Sequence, residues 1–309
     1  MSEVPVVDIP GDSGKRARHS GVEWSSPLVL HKFPLEAHLT RRLLFIFFAL
    51  FLVCAMIDAP LPVVAKKKAT PPPPPPPDPD CNVTYDGYTR HIAFSNYVWA
   101  VKDHGKTQAG PGPNLFSDST DSVWVDPDGR LHMRVRKSRG RWYAAEVINT
   151  CSLGYGTYRF YLNNEVHELD PNIVLGLFTW SDDPAFEHRE LDIEVARWGD
   201  PANDNGQFVV QPYHLPGHIF RFAWPAGAPQ STHSFVWGNG SASFSSQIGH
   251  FDPADPAPVI VGSYDFFDEI PEPGDENPRI NLWLTQGNAP TDRREAEVII
   301  DRFEFVPAI

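Results

Sequence analysis

The sequence predicts an all-β domain over residues 81–309, a two-sheet antiparallel β-sandwich of the jelly-roll type. Three observations carry this reading. Short runs rich in Val, Phe, Trp and Tyr recur along the segment. Breakers such as Asp126-Pro127-Asp128-Gly129, Trp198-Gly199-Asp200-Pro201 and Pro271-Glu272-Pro273-Gly274 separate them. No stretch supports a helix longer than two turns. About twelve strands in a segment of this length suit two packed sheets.

Ahead of that domain lie three segments. Residues 1–42 are polar and irregular and are expected to be a disordered leader. Residues 43–65 are an apolar run behind Arg41-Arg42, long enough to span a bilayer, which needs about 20 residues. Val63-Val64-Ala65 also fits a cleavage site, so the run reads either as a signal peptide or as a membrane anchor. Lysines and arginines on its two sides balance and leave orientation open. Residues 66–80, with seven consecutive prolines from Pro71, read as a stiff linker.

The expected strands of the domain are, in order, residues 122–126, 131–136, 142–148, 155–162, 172–180, 190–195, 207–213, 219–224, 233–240, 241–246, 279–286 and 297–306. From Cys81 onward, 17 Lys and Arg stand against 31 Asp and Glu. So acidic a domain is a poor partner for nucleic acid, whose phosphates need clustered cations. A monomer is expected. Cys81 and Cys151 are the two cysteines of this part, and in an exported domain they would form a disulfide; two separate thiols are the alternative. Extracellular or cell-envelope localisation follows from the leader, the linker and that bridge.

One segment points to chemistry. In residues 190–195 Glu190, Asp192 and Glu194 alternate with Leu191, Ile193 and Val195. As a strand this places three aliphatics on one face and three carboxylates on the other. As a helix it would set Glu190 against Glu194 at i,i+4. A solvated acidic strand explains the pattern if the face is open to water, and a structural calcium site is a further option, though no calcium-loop spacing supports it. Glycoside hydrolysis explains it through function: that reaction needs one neutral and one ionised carboxyl flanking the bond, and crowding raises pKa values. Glu190 and Glu194 lie roughly 13 Å apart along a strand, which leaves both retaining and inverting separations within reach.

Glu190-Leu191-Asp192-Ile193-Glu194 resembles the Glu-x-Asp-x-Glu signature of glycoside hydrolase family 16, the lichenase and laminarinase group, in its form without a bulge. The stretches 154–162, 174–180, 207–213, 232–237 and 279–284 resemble the strands around that signature in the same order, so the likeness spans about residues 95–306. It implies a curved jelly roll that cleaves β-glycosidic bonds of glucan-type polysaccharides with retention. By the same likeness Glu190 is the nucleophile, Glu194 the acid/base and Asp192 the residue that tunes the pair. No cofactor is implied. Glu146 stands where the family often has a substrate-contacting Glu, with a solvated strand residue as the alternative. Trp180 and Trp198 flank the motif as candidates for sugar stacking or for core positions. Tyr213, His233 and Trp283 divide in the same way between cleft and structural roles. His188 stands where the family usually has Trp, and the insertions around the motif leave the substrate open. A transglycosylase on the same fold, or an inactive carbohydrate-binding module, are the alternatives to a hydrolase.

Overall fold

The computed structural model describes residues 81–309. The readings made for residues 1–42, 43–65 and 66–80 lie outside them. Among the described residues no helix is long and apolar enough to cross a membrane.

These residues form eighteen strands. They are β1 (Asn82–Val83), β2 (His91–Phe94), β3 (Tyr97–Val101), β4 (Val123–Val125), β5 (Leu131–Ser138), β6 (Arg141–Tyr143), β7 (Ala145–Asn149), β8 (Cys151–Ser152), β9 (Gly156–Leu162), β10 (Ile173–Trp180), β11 (Leu191–Ala196), β12 (Gly206–Val210), β13 (Ile219–Phe222), β14 (Ser231–Gly238), β15 (Ser241–Ile248), β16 (Val259–Phe266), β17 (Asn277–Leu284) and β18 (Ala296–Pro307). One sheet of eight runs β13-β12-β11-β10-β17-β7-β3-β2. The other runs β16-β15-β14-β9-β18-β5-β4, with β6 added beside β5. The ladders within both are antiparallel. The expected β-sandwich is therefore the observed architecture.

The core lies between the sheets. Leu175, Leu177, Leu191, Ile193, Phe208 and Leu282 come from the first sheet; Leu131, Met133, Phe160, Phe235, Phe244 and Phe303 come from the second. Each strand supplies the core with alternate residues, so the first sheet has an outer face made of the others. Cys81 and Cys151 are bridged, with Cα atoms 5.4 Å apart, and the bridge joins the residue ahead of β1 to its ladder partner β8.

Six strands exceed the expected set, and their physical reasons differ. The hairpin β2–β3 turns at Ser95-Asn96, both at positive φ, a tight turn made without the glycine that usually marks one. The single run expected over 142–148 divides. Arg141–Tyr143 folds back on β5 through Arg139-Gly140, again both at positive φ, while Ala145–Asn149 crosses into the first sheet. β16 is an edge strand whose Val259 and Ile260 remain exposed, so the burial that makes a strand legible is missing there.

Candidate active site

Leu191 and Ile193 are fully buried in the core. The alternation then directs Asp192 and Glu194 to the outer face of the first sheet, with Glu190 at the entry to β11. All three line one cleft of about 450 Å³.

Strand register builds the floor of that cleft. In one row across the sheet, Gln207, Glu194, Gly176, Asn281 and Glu146 stand opposite one another on β12, β11, β10, β17 and β7. The next row brings Asp192, Phe178 and Arg279 together. Gly176 is needed in the first row, because a Cβ there would lie 2.5 Å from Oδ1 of Asn281. The same Oδ1 is buried against Gly176 with no hydrogen-bond partner among the described residues.

At the far end of the row Glu146 is buried between two cations. Lys102 Nζ lies 2.8 Å from one carboxylate oxygen and Arg279 lies 3.5 Å from the other. Glu146 is thus an internal ion-pair member facing the cleft, not a solvated strand residue. Arg279 also reaches towards Asp182, at 3.7 Å.

Burial dominates the electrostatics of the three central acids. It pushes Glu190 up to about 8 and Glu194 up to about 7, and Asp192 well above the carboxylate range. The hydrogen bond between Asp192 and Glu190 raises Asp192 and lowers Glu190, so it favours a protonated Asp192 beside an ionised Glu190. Arg279 acts in the same direction. Gln207 Nε2 donates to Oε2 of Glu194, and Arg221 Nε donates to Oε1 of Gln207 at 3.0 Å. Both oppose the effect of burial on Glu194.

The walls are aromatic. Trp180 is backed by His188, stacked at 4.0 Å and 10°, and its Nε1 donates to Asp182 at 3.0 Å. Trp283 stands two rows from Asp192, opposite Val174 on β10. Tyr85 and Tyr88 close the cleft from the segment that follows the disulfide, with Tyr88 hydrogen-bonded to His104 at 2.9 Å.

Of the residues singled out in the sequence, Glu146, Trp180, Glu190, Asp192, Glu194 and Trp283 all line this cleft. Three others do not. Trp198 packs edge-on against Trp283 at 5.9 Å and joins the small apolar cluster of Phe116, Val174 and Ala196. Its place is behind the wall, because the turn after β11 carries it at positive φ. Tyr213 is 40 % exposed in the connection after β12, edge-to-face with His214. His233 belongs to β14 of the other sheet. It is fully buried, with both ring nitrogens hydrogen-bonded to Ser246 and Ser231, and burial pushes it down to about 3, so it is neutral and structural.

Lys102, Arg279 and Asn281 were not singled out, nor were Tyr85, Tyr88 and Asp182. Alternation along 279–284 could have flagged Arg279 and Asn281 as outer-face residues once Trp283 was considered. Tyr85 and Tyr88 lie outside any long strand and carry no such signal. For metals, one group among the described residues is close enough to share an ion: Glu165, His167 and Glu168. A histidine with two carboxylates differs from the all-oxygen set that calcium prefers.

No protein-family model matches the chain, and no curated protein matches it. Solved structures of similar fold include a β-glucanase of Bacillus licheniformis, 18% identical, aligned over 72% of this chain and 100% of that one with a TM-score of 0.49. A β-1,3-1,4-glucanase (lichenase) from a mouse hindgut metagenome is 19% identical over 68% of this chain and 93% of that one, with a TM-score of 0.47. An immunostimulatory antigen and pseudo β-1,3-glucanase of Mycobacterium tuberculosis is 18% identical over 68% and 91%, with a TM-score of 0.47.

The raised carboxyls make stability depend on pH. In the unfolded chain Glu190 and Glu194 ionise near the ordinary 4.5, whereas the folded site keeps protons up to about 8 and about 7. Their contribution is therefore fully present below about pH 4.5 and is lost as pH rises through 7 to 8. Glu190→Gln should melt above the parent at pH 8.5 and close to it at pH 4. A thermal melt at both values checks this; a variant less stable than the parent at pH 8.5 would contradict the burial of charge described here.

Proposed function

We propose that the chain is a retaining, endo-acting glycoside hydrolase that cleaves β-linked glucan-type polysaccharides. The observation that carries this reading is the set of three carboxyls on the outer face of one central strand, at the floor of an aromatic-walled cleft. Retaining hydrolysis needs a carboxylate to attack and a carboxylic acid to donate. Burial raises Glu190, to about 8, even more than Glu194, to about 7, and the hydrogen bond with Asp192 and the charge of Arg279 oppose it at Glu190; that opposition supports Glu190 as the carboxyl that ionises to attack. Glu194, raised to about 7, holds a proton at neutral pH and supplies it to the departing sugar oxygen.

Glu190 attacks the anomeric carbon as the glycosidic C–O bond breaks and Glu194 protonates the leaving oxygen. This leaves a glycosyl ester on Glu190. Esterification removes the negative charge of Glu190, so Glu194, now ionised, keeps its charge more easily. It then takes a proton from water as that water displaces the ester. Binding follows the strand rows. Asp192 and Glu194 lie between the rows of Trp180 and Trp283, which are about 20 Å apart at the rise of a β-strand. Sugar faces would stack on both sides of the bond that is cut, which supports attack within a chain.

The reading includes an exported setting. Its support is the Cys81–Cys151 bridge, a bond that persists in oxidising compartments. Thiol labelling of protein drawn unreduced from its native host should find Cys81 and Cys151 blocked; both freely reactive would overturn the export reading.

The function itself is tested with the purified chain on a panel of soluble β-glucans, with and without an added acceptor glycan to separate transfer from hydrolysis. Shortened products are expected from at least one glucan. Glu194→Gln should lower turnover by roughly 10²–10⁴-fold, and Glu190→Gln by at least as much, with the fold retained. Near-parental turnover in Glu190→Gln would refute the assignment.

A further inference from the structure

Glu194 is reached from solvent by a two-step relay. Arg221 on β13 is paired in register with Gln207 on β12, which is paired with Glu194 on β11. Arg221 is exposed, Gln207 is 6 % exposed, and Glu194 lines the cleft. The hydrogen bonds run the same way: Arg221 Nε to Gln207 Oε1 at 3.0 Å, then Gln207 Nε2 to Glu194 Oε2.

The chemistry of the two ends dictates how the amide stands. A guanidinium only donates hydrogen bonds, so the amide oxygen must face it. The amide NH₂ then has to face Glu194. That group only donates as well, so it satisfies an ionised carboxylate and has nothing to offer the O–H of a protonated one. The opposite orientation would turn the amide oxygen to Glu194 and accept its proton. Arg221 excludes that orientation, since an NH₂ facing a guanidinium pairs two donors.

We propose that Arg221 is a positioning residue: by fixing which way the Gln207 amide faces, it governs how readily Glu194 gives up and takes back its proton. The consequence for turnover rests on the reading of Glu194 as acid/base. Its direction is set against the other groups around Glu194. Glu190 and Asp192 face it from its own strand, and Glu146 lies across the row, neutralised by Lys102 and Arg279. β10 contributes Gly176 and no side chain. Burial holds the proton on; Gln207 and Arg221 pull it off. The relay therefore makes Glu194 a stronger proton donor in the first half of the reaction and lets it stay ionised for the second.

The test uses the full chain with ¹³C-labelled glutamate side chains. The carboxyl signal of Glu194, assigned by its loss in Glu194→Gln, is followed against pH. Arg221→Met should raise the titration midpoint by about half a unit to one unit, because the Gln207 amide is then free to turn its oxygen towards a protonated Glu194. In a Gln207→Met background the same change should move the midpoint by much less, because the relay is already cut. The alkaline limb of the pH–rate profile should move up with the midpoint in Arg221→Met. Arg221 is exposed, so the variant is expected to melt like the parent. An unmoved midpoint in Arg221→Met would overturn the proposal. So would a full shift that persists without Gln207, since the charge would then act directly through space. The titration needs no turnover: a chain inactive on every glycan would refute the hydrolase reading and leave the relay to be decided by the midpoints alone.

Discussion

The pairing of β11 with β10 and β12 is the constraint on which the site depends. Side chains of a strand alternate with a period of two, so a slip of one residue would exchange the faces. Leu191, Ile193 and Val195 would then meet the cleft, and Asp192 and Glu194 would enter the core. The apolar residues make that exchange prohibitive, because their neighbours Leu175, Leu177 and Phe208 are themselves locked into the sandwich. The same pairing determines what Glu194 meets. Gln207 lies on one side of it, and on the other Gly176 leaves room for Asn281. The hydrophobic core thus positions the polar face by occupying the other one.

That polar face opposes the stability of the fold. Buried like charges are unfavourable, and the three acids respond by holding protons to higher pH than free carboxyls do. A strand selected for stability alone would not carry them. Their surroundings divide the labour between them. Asp192 stays neutral and hydrogen-bonded to Glu190, Glu194 is coupled outward to Gln207 and Arg221, and Glu146 is paired with Lys102 and Arg279. Local rules of stability fail here in the manner expected of a functional surface.

What the sequence disclosed is what short-range periodicity encodes. The faces of residues 190–195 follow from alternation alone, and the sandwich follows from many such runs. Counting offers Cys81 and Cys151 as a bridge or as two separate thiols, and the structure shows the bridge. Contacts between distant strands are another matter. His233 and Tyr213 sit in strand-like stretches as suggestive as that of Trp180, and nothing local shows that His233 belongs to the opposite sheet. Trp198 and Trp283 are both large and apolar, and only the turn after β11 decides which one faces the cleft and which stands behind it. Arg221, Gln207, Asn281 and Arg279 acquire meaning through cross-strand register, a property of the assembled sheet. Tyr85 and Tyr88 reach the cleft on a segment with hardly any regular structure of its own, held beside it by the disulfide.

The central claim is that Glu190 and Glu194 act as an attacking carboxylate and its acid/base partner across one glycosidic bond. The most direct measurement is proton NMR of the reducing end released in the first moments of turnover on a β-linked glucan, before mutarotation. Two displacements at the anomeric carbon, the first by Glu190 and the second by water, return the β configuration. The β-anomer is expected first. An α-anomer appearing first would mean a single displacement by water, with Glu190 acting as a base, and would contradict the claim.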